Sequence, residues 1–362
     1  MARKQYNVAV VGATGAVGGE MLRVLNERRF PVGRIRLLAS ARSAGKRLPF
    51  NGSGHRVEQL RSRSFEGVDV ALFSAGASRS LEFAPEAVRR GAVVVDNSSA
   101  FRMAEGVPLV VPEVNPHALE RHEGLIANPN CSTIVMLMAL APLHRACRIT
   151  RIIVSTYQSV SGAGSRAMWQ LLLETQDVLK RLKAQGSRLK AGSSRFQIEA
   201  LAKPRASSLE PRALPRQIAF NVIPQVDAFL ENRYTKEEMK MVNETRKILE
   251  EPDLPISATC VRVPVFIAHS EAVWIETERP LSVEKARKLL QAAPGVRLVD
   301  EPPGAYPLPI DAAGRDEVLV GRLRRDESVP HGLALWVSGD NLRKGAATNA
   351  VQIAELVVSD RA

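Results

Sequence analysis

Cysteine is scarce in this 362-residue sequence, and its scarcity excludes two common ways of stabilising a fold. The three cysteines, Cys131, Cys147 and Cys260, lie far apart and form no Cys-x-x-Cys or Cys/His cluster. Such spacing fits neither a disulfide framework nor a structural zinc site. We therefore expect three reduced thiols and no bound metal.

Long apolar runs are also missing. No stretch reaches the roughly 18 to 20 apolar residues that a membrane span needs. The first segment, MARKQYNVAVVGATGAVGG, turns into glycines before it could form the apolar part of a secretory signal. We expect a cytoplasmic protein that makes no membrane contact. With 45% hydrophobic and 24% charged residues, the composition suits a globular chain of two domains.

Positive charge is in excess, with a net charge of +12 at pH 7. Much of it is local, because residues 180–216 hold ten Lys and Arg against two Glu. Sites for single-stranded nucleic acid interleave charges with several aromatic rings, whereas this segment has one, Phe196. We interpret the basic insert, about 181–216, as a solvated loop face and do not expect nucleic acid as a partner. Binding of another polyanion there is the open alternative.

Strand and helix signals alternate along the first part of the chain. A predicted strand at 7–11 leads through glycines into a helix at 17–28 and a strand at 34–39, and the short apolar runs VDVALFSA, GAVVVDNS and EGLIANP follow. This alternation is typical of a doubly wound parallel sheet. We predict a Rossmann-type α/β domain over residues 1–130, completed by an amphipathic C-terminal helix at 341–362.

The glycine turn predicts a dinucleotide site. It reads GATGAVG from Gly12 to Gly18, and glycines between a strand and a helix let the backbone approach a pyrophosphate. We expect the turn to bind the cofactor through Gly12, Thr14, Gly15, Ala16 and Val17. After the second strand stand Ser40, Arg42 and Ser43 with no acid, which favours NADP over NAD. Alternatively, these three are ordinary loop residues.

The rest of the chain has a different pattern. Helices are predicted near 132–144, 167–182 and 236–250, and extended segments at 256–278, 317–323 and 334–338 include a stretch that alternates as a half-exposed sheet does. We predict an α+β catalytic and dimerisation domain over residues 131–340, with a mainly antiparallel sheet.

Cys131 is placed for reactivity. The turn residues Asn128, Pro129 and Asn130 precede it, and an apolar helix begins beside it. Unpaired N–H groups at a helix start stabilise a thiolate, so we expect the pKa of the thiol to be lowered. The alternative is a buried structural cysteine, which better describes Cys147 and Cys260.

Nine short stretches in one order resemble the aspartate-β-semialdehyde dehydrogenase family over essentially the whole chain. They are VAVVGATGAVG, DNSSAFRM, VPEVNP, NPNCSTI, YQSVSGAG, AFNVIPQVD, EEMKMVNETRKIL, RVPVFIAHSEAV and SGDNLRKGAATNAVQIAE. The resemblance implies NADP-dependent reductive dephosphorylation of aspartyl phosphate to aspartate semialdehyde through a cysteine acyl-thioester, on the route to lysine, threonine and methionine. It also implies a homodimer. The lengthened basic insert departs from the family pattern.

The resemblance further implies a role for each matching residue. Cys131 would be the nucleophile and His269 the general acid/base. Arg262 would hold the substrate carboxylate, and Glu237 would meet its ammonium group. Phosphate would bind Arg102 and Lys240. The thioester oxygen would be oriented by Asn130 and Gln158, and the nicotinamide side of the cofactor would meet Ser161, Gly162 and Asn341.

Three other functions compete with this interpretation. An N-acetyl-γ-glutamyl-phosphate reductase uses similar cysteine chemistry, but its acylated substrate nitrogen has no charge for Glu237 to neutralise. A catalytically silent NADP-binding relative would have no chemical reason to keep Cys131, His269, Arg262 and Glu237 together. A polyanion-binding module built on the basic insert would bind nucleic acid with a strong salt dependence.

Overall fold

The computed structural model describes residues 4–186, 212–301 and 304–359, so most of the basic insert lies outside the described residues. Its first sheet has seven strands in the order β3-β4-β2-β1-β5-β6-β7. They are β1 (Tyr6–Val11), β2 (Val32–Ala39), β3 (Arg47–Phe50), β4 (Ser53–Gln59), β5 (Val70–Phe73), β6 (Val93–Asp96) and β7 (Leu125–Ala127). All neighbours pair in parallel except the β3–β4 hairpin.

Helices cover both faces of this sheet, as the alternating pattern predicts. Along β1, Val8 and Val10 pack with helix α1 (Ala16–Glu27), whereas Ala9 and Val11 pack with helix α2 (Ala77–Arg89). The doubly wound parallel sheet is confirmed, and the first strands and helix begin and end within two residues of the predicted positions.

The second sheet has six strands in the order β11-β12-β13-β10-β8-β9. They are β8 (Ile149–Gln158), β9 (Ile256–Arg262), β10 (His269–Thr277), β11 (Val296–Leu298), β12 (Val318–Asp326) and β13 (Gly332–Gly339). The pairs β8–β10, β10–β13 and β12–β13 are antiparallel, and β8–β9 and β11–β12 are parallel. The mainly antiparallel sheet of the α+β prediction is therefore confirmed.

Further helices are α3 (Cys131–Ala146), α4 (Ser165–Gly186), α5 (Lys236–Leu249), α6 (Val283–Ala292), α7 (Pro309–Ala312) and α8 (Thr348–Ser359). Helix α3 is apolar nearly all round, because it lies between the second sheet and its neighbouring helices in one continuous core. Its first residue is Cys131, so the thiol is fixed at the start of a helix that is buried along most of its length.

The C-terminal segment returns to the first sheet. Tyr6 donates its hydroxyl to the Val358 carbonyl at 3.1 Å, and Val351 and Ile353 share a core with β1. The predicted helix at 341–362 is interrupted, because residues Arg343–Ala347 form a π-helical turn before α8 begins. Arg343 and Lys344 in this turn are buried with carboxylate partners, a charge arrangement that the amphipathic pattern does not predict.

Candidate active site

A cavity of about 670 Å³ opens beside the start of α3. Its wall includes much of the predicted constellation: Val17, Arg102, Asn130, Cys131, Gln158, Ser161, Gly162, Glu237, Lys240, Arg262 and Asn341. These residues come from helices α1, α3 and α5, from the ends of β8 and β9 in the second sheet, from the loop after β6, from the turn Val160–Ala163 and from the segment before α8. The structure therefore brings the predicted nucleophile, substrate, phosphate and nicotinamide-side groups together.

Asn130 fixes the start of helix α3. Its Oδ1 accepts the N–H groups of Ser132 at 3.0 Å and Thr133 at 3.2 Å, so it caps α3. Its Nδ2 donates to Glu237 Oε1 at 2.9 Å, and its main-chain N–H donates to Glu244 Oε2 at 2.6 Å. Asn130 thus connects the helix that carries Cys131 to helix α5.

The pKa of Cys131 moves in the direction opposite to the expectation. Burial, followed by the negative charge of Glu237, raises the pKa of the thiol to about 12, although Arg102, Arg262 and the Ser132 N–H act against this rise. The helix start is present as predicted, but burial and the charge of Glu237 outweigh its effect. A cation that neutralised Glu237 would remove the second of the two causes.

Glu237 and Lys240 share one face of α5, as their spacing predicts. Helix α5 begins after the Thr235 cap, which places Glu237 in the first turn. Its Oε1 also accepts Gln158 Nε2 at 3.3 Å, and its Oε2 accepts Lys240 Nζ at 3.1 Å. Although burial opposes ionisation, Lys240 and the Asn130 hydrogen bond lower the pKa of Glu237. The carboxylate therefore stays charged in a buried position.

Gln158 and Arg262 face each other at the ends of β8 and β9. Gln158 Nε2 donates to Ser132 Oγ at 2.9 Å, and Arg262 Nη1 donates to the Ser159 carbonyl at 2.7 Å. Arg262 is buried and its Nε has no hydrogen-bond partner among the described residues. A guanidinium with an unused buried donor is suited to an anionic group of a ligand.

Arg102 lines the cavity but already has three protein partners. It donates to the Asn128 carbonyl at 3.0 Å, the Asn97 carbonyl at 3.0 Å and Glu244 Oε1 at 2.9 Å. Two of its five N–H hydrogens remain for a ligand. Glu244, which was not predicted, holds both Arg102 and the Asn130 N–H. Its position one turn after Lys240 on α5 is the signal that could have identified it.

His269 does not line the cavity. The side chain is fully buried at the first position of β10, and the turn Val160–Ala163 lies over it. A Cβ on Gly162 would come within 3.2 Å of both Cε1 and Nε2 of the ring. Gly162, which lines the cavity, therefore lies between the cavity and the imidazole. Ser159, which was also not predicted, contacts the ring through its N–H and its hydroxyl, each at 3.1 Å from Nδ1.

Asn341 supports this region. Its Oδ1 accepts the hydroxyls of Ser159 at 3.1 Å and Ser161 at 3.0 Å and the N–H of Ala268 at 3.0 Å. The amide oxygen is therefore used inside the protein, and the amide nitrogen is the part of Asn341 that remains for a cofactor.

The glycine turn has the close approaches expected of a dinucleotide site. Gly12 has φ +86°, and a Cβ there would lie 2.3 Å from the Ser74 carbonyl oxygen. Gly15 caps α1, which begins at Ala16, and Thr14 Oγ1 lies 3.4 Å from Ser43 Oγ. Beyond β2, Ser40 and Arg42 are exposed and Ser43 is buried. The residues present thus fit a pyrophosphate at the turn.

Over residues 4–186, 212–301 and 304–359, no helix is long and apolar enough to cross a membrane. Within the same ranges, no three His, Cys, Asp or Glu side chains cluster so that they could hold a metal ion.

Two family models match the chain in succession. Residues 7–122 match the semialdehyde dehydrogenase NAD binding domain, and residues 140–344 match the semialdehyde dehydrogenase dimerisation domain. The fold and the site thus define a nicotinamide-dependent dehydrogenase with a cysteine at its centre.

Full-length relatives identify the family. The chain is 51% identical over 359 residues to an aspartate-semialdehyde dehydrogenase of Aquifex aeolicus, covering 98% of each chain, and 50% identical over 358 residues to that of Bacillus subtilis, covering 96% of each. A crystal structure of aspartate semialdehyde dehydrogenase II from Vibrio cholerae, complexed with ASA, is 48% identical and has a TM-score of 0.89 over 99% of each chain. The chain belongs to the aspartate-semialdehyde dehydrogenase family.

Proposed function

We propose that the protein catalyses the NADP-dependent, reversible conversion of L-aspartyl 4-phosphate to L-aspartate 4-semialdehyde and phosphate, in lysine, threonine and methionine biosynthesis. The observation that supports this most is the cavity itself. There Cys131 begins a helix beside a buried carboxylate, Glu237, and a buried guanidinium, Arg262. A substrate that offers an ammonium, a carboxylate and an acyl group matches those three in charge and chemistry.

The proposed reaction begins at Cys131 Sγ. The sulfur attacks the acyl carbon, the carbon–oxygen bond to phosphate breaks, and an acyl-thioester forms. The hydride that reduces this thioester would come from NADPH when the cofactor is bound. Asn130 and Gln158 orient the thioester oxygen, and His269 is the imidazole that assists the reaction. In such sites, hydrogen bonds that are long in the free enzyme tighten when substrate binds, which suits the position of His269 behind Gly162.

The proposed roles of the other site residues are based on their charges. Glu237 binds the substrate ammonium, which also weakens one cause of the high pKa of Cys131. Arg262 binds the carboxylate. Lys240 and the remaining hydrogens of Arg102 bind phosphate, and Glu244 holds Arg102 and Asn130 in position.

For the cofactor, we propose NADP in particular. The turn of Gly12, Thr14, Gly15, Ala16 and Val17 would hold its pyrophosphate. Ser40, Arg42 and Ser43 follow β2 and offer hydroxyls and a positive charge to a 2′-phosphate, with no acid to repel it. On the nicotinamide side stand Ser161, Gly162 and Asn341.

The larger-scale assignments belong to the same proposal. Residues 1–130 with 341–362 form the cofactor domain, and residues 131–340 form the catalytic and dimerisation domain of a homodimer. Location in the cytoplasm remains a prediction. The two alternative functions, a catalytically silent NADP-binding protein and an N-acetyl-γ-glutamyl-phosphate reductase, are not favoured. The similar proteins named for this chain are aspartate-semialdehyde dehydrogenases.

The test is a steady-state assay in the direction of aldehyde oxidation. We expect phosphate-dependent NADP reduction with aspartate semialdehyde, and a lower kcat/KM with N-acetylglutamate semialdehyde or with NAD. A preference for the acetylated aldehyde would contradict the substrate assignment.

Cys131→Ala is the matching variant. We expect it to abolish turnover and to leave cofactor binding unchanged, as measured by the fluorescence of titrated NADPH. Wild-type activity in this variant would rule out the thioester route.

A further inference from the structure

The ammonium group of Lys240 lies between two carboxylates. Its Nζ donates to Asp227 Oδ2 at 2.9 Å and to Glu237 Oε2 at 3.1 Å. Both carboxylates line the cavity beside Cys131. An ammonium group carries hydrogens and no lone pair, so these two oxygens together form a site that accepts an ammonium. In the proposed function Glu237 and Lys240 have roles, and Asp227 has none.

The two oxygens of Glu237 have different partners. Oε1 accepts the side-chain amides of Asn130 at 2.9 Å and Gln158 at 3.3 Å. Among the described residues, Oε2 accepts Lys240 Nζ alone. Two neutral groups of the protein therefore occupy Oε1 and hold the carboxylate in place. A ligand ammonium that binds Glu237 has to approach Oε2, which is where Lys240 Nζ lies.

Asp227 is held in place by its own segment. Ile223 and Arg262 exchange main-chain hydrogen bonds at 2.9 and 2.8 Å, so this segment pairs with the end of β9. Ala228 donates its N–H to Asp227 Oδ1 at 2.8 Å, and the Ala228 carbonyl accepts the N–H of Lys236 at the start of α5. Asp227 itself has φ +69°, a left-handed conformation that aspartate and asparagine adopt more readily than most residues.

Arg262 indicates where the amino-acid part of a substrate lies. The residue is 6% exposed, and its Nε has no hydrogen-bond partner among the described residues. Although burial opposes ionisation, Lys240, Asn130 and Arg262 lower the pKa of Glu237, so Arg262 and Glu237 are close enough to interact. One carbon of an α-amino acid carries both the ammonium and the carboxylate. A carboxylate at Arg262 therefore brings the ammonium near the oxygens that hold Lys240.

We propose that Asp227 and Glu237 together bind the ammonium group of the substrate, and that Lys240 occupies this site until the substrate takes its place. The inference rests on the proposed function and adds one residue to it, because Asp227 then contributes to the preference for a free amine. Lys240 has a flexible stem, so its Nζ can leave the carboxylates and bind phosphate beside Arg102. A substrate without an ammonium leaves Lys240 on the carboxylates, and its phosphate lacks one ligand.

Two aldehydes that differ in the amine alone test the assignment. Aspartate semialdehyde and succinate semialdehyde share the aldehyde and a carboxylate, and the second has no ammonium. The values of kcat/KM are measured for both at saturating phosphate and NADP. We expect Asp227→Asn to lower kcat/KM for aspartate semialdehyde by about 10 to 100-fold, the size of a hydrogen bond between charged groups. For succinate semialdehyde, kcat/KM should stay the same or rise, since Lys240 is less strongly retained.

Equal losses with both aldehydes would show that Asp227 acts through Lys240 or the fold and would overturn the proposal. No loss with aspartate semialdehyde would overturn it as well. Glu231→Gln is the control, because it removes an exposed carboxylate four residues after Asp227 and changes the net charge equally. It should leave both kcat/KM values unchanged. Circular dichroism checks that Asp227→Asn keeps the fold.

Lys240→Met tests the displacement with aspartate semialdehyde alone, so it decides the case even if succinate semialdehyde reacts too slowly to measure. The variant empties the ammonium site and removes a phosphate ligand. We expect KM for phosphate to rise by about tenfold or more, and KM for aspartate semialdehyde to stay the same or fall. In Asp227→Asn, KM for aspartate semialdehyde should rise. A similar rise in both variants would contradict the displacement of Lys240.

The two proposals can fail separately. If the wild type does not oxidise aspartate semialdehyde with phosphate and NADP, the proposed function is wrong. If the wild type is active and Asp227→Asn keeps its kinetics with aspartate semialdehyde, only the role of Asp227 is refuted.

Discussion

Glu271, two residues after His269 on β10, is a fully buried carboxyl group. Neither of its oxygens has a hydrogen-bond partner among the described residues, and burial raises its pKa well above the ordinary value. Above about pH 4.3 the unfolded chain releases this proton while the native state keeps it. Native stability is therefore lost as the pH rises, which is the sign for an acid whose folded pKa is raised.

Glu271→Gln removes this titration. We expect the free energy of unfolding of the variant, relative to that of the wild type, to rise by at least about 1 kcal/mol between pH 5 and pH 8. Urea unfolding at each pH measures this difference. Glu276→Gln, on the same strand but in an ion pair with Arg151 at the surface, is the control and should change stability by less than about 1 kcal/mol. A gap between Glu271→Gln and wild type that stayed constant with pH would contradict the prediction.

Individual residues show which features of the site could be predicted from the sequence. The start of α3 at Cys131 and the shared face of Glu237 and Lys240 follow from local caps and helical spacing, and the structure agrees with both. The raised pKa of Cys131 does not follow from local sequence, because it depends on burial by distant segments. The cover of Gly162 over His269 is a contact between residues more than a hundred positions apart, and no periodicity encodes it.

At the scale of elements, the π-helical turn Arg343–Ala347 packs against Cys131. A Cβ at Gly345 would lie 3.0 Å from Cys131 Cβ and 3.4 Å from the Asp340 carbonyl oxygen. Gly345→Ala should therefore displace the thiol by a few tenths of an ångström. Because misplacement of reacting groups is costly, we expect kcat to fall by about 10 to 100-fold with the fold intact.

Steady-state kinetics and circular dichroism together check this prediction. Gly19→Ala on α1 is the matched control, since an added Cβ there meets nothing within 4 Å and alanine favours a helix by up to about 1 kcal/mol. Unchanged kcat in Gly345→Ala would show that the turn does not set the thiol position. Amphipathic periodicity predicts a helix here but not its π-helical start, because the charges of Arg343 and Lys344 turn inward to meet carboxylates.

At the scale of the whole molecule, Arg343 joins parts of the chain that are far apart in sequence. It donates to Glu20 at 2.8 Å and Glu27 at 2.6 Å on α1, and to Asp316, just before β12 of the second sheet, at 2.9 Å. Both sheets could be predicted from their strand patterns. The ion pairs of Arg343 could not, because in the sequence each of these charged residues is indistinguishable from an ordinary surface residue. The link places α1, which follows the glycine turn, in a fixed relation to the segment beside Cys131.

Arg343→Met should destabilise the protein by about 2 kcal/mol, somewhat less than the loss of a fully buried ion-pair partner, because Glu27 and Asp316 are partly exposed. Arg28→Met breaks the more exposed pair with Glu355 between α1 and α8 and should cost less than about 1 kcal/mol. Urea unfolding of both variants at pH 7 measures the difference. Equal losses of unfolding free energy would mean that the ion pairs of Arg343 contribute no more than an ordinary surface pair.

The same variant has a pH signature. Although burial opposes ionisation of Asp316, hydrogen bonds from Arg343 and Thr348 lower its pKa. The resulting stabilisation is fully present above the unfolded value of about 3.9 and is lost as the pH falls through the lower folded value. The gap in unfolding free energy between wild type and Arg343→Met should therefore narrow below about pH 4. A gap that widened toward acid would show that Asp316 is not the partner whose charge Arg343 stabilises.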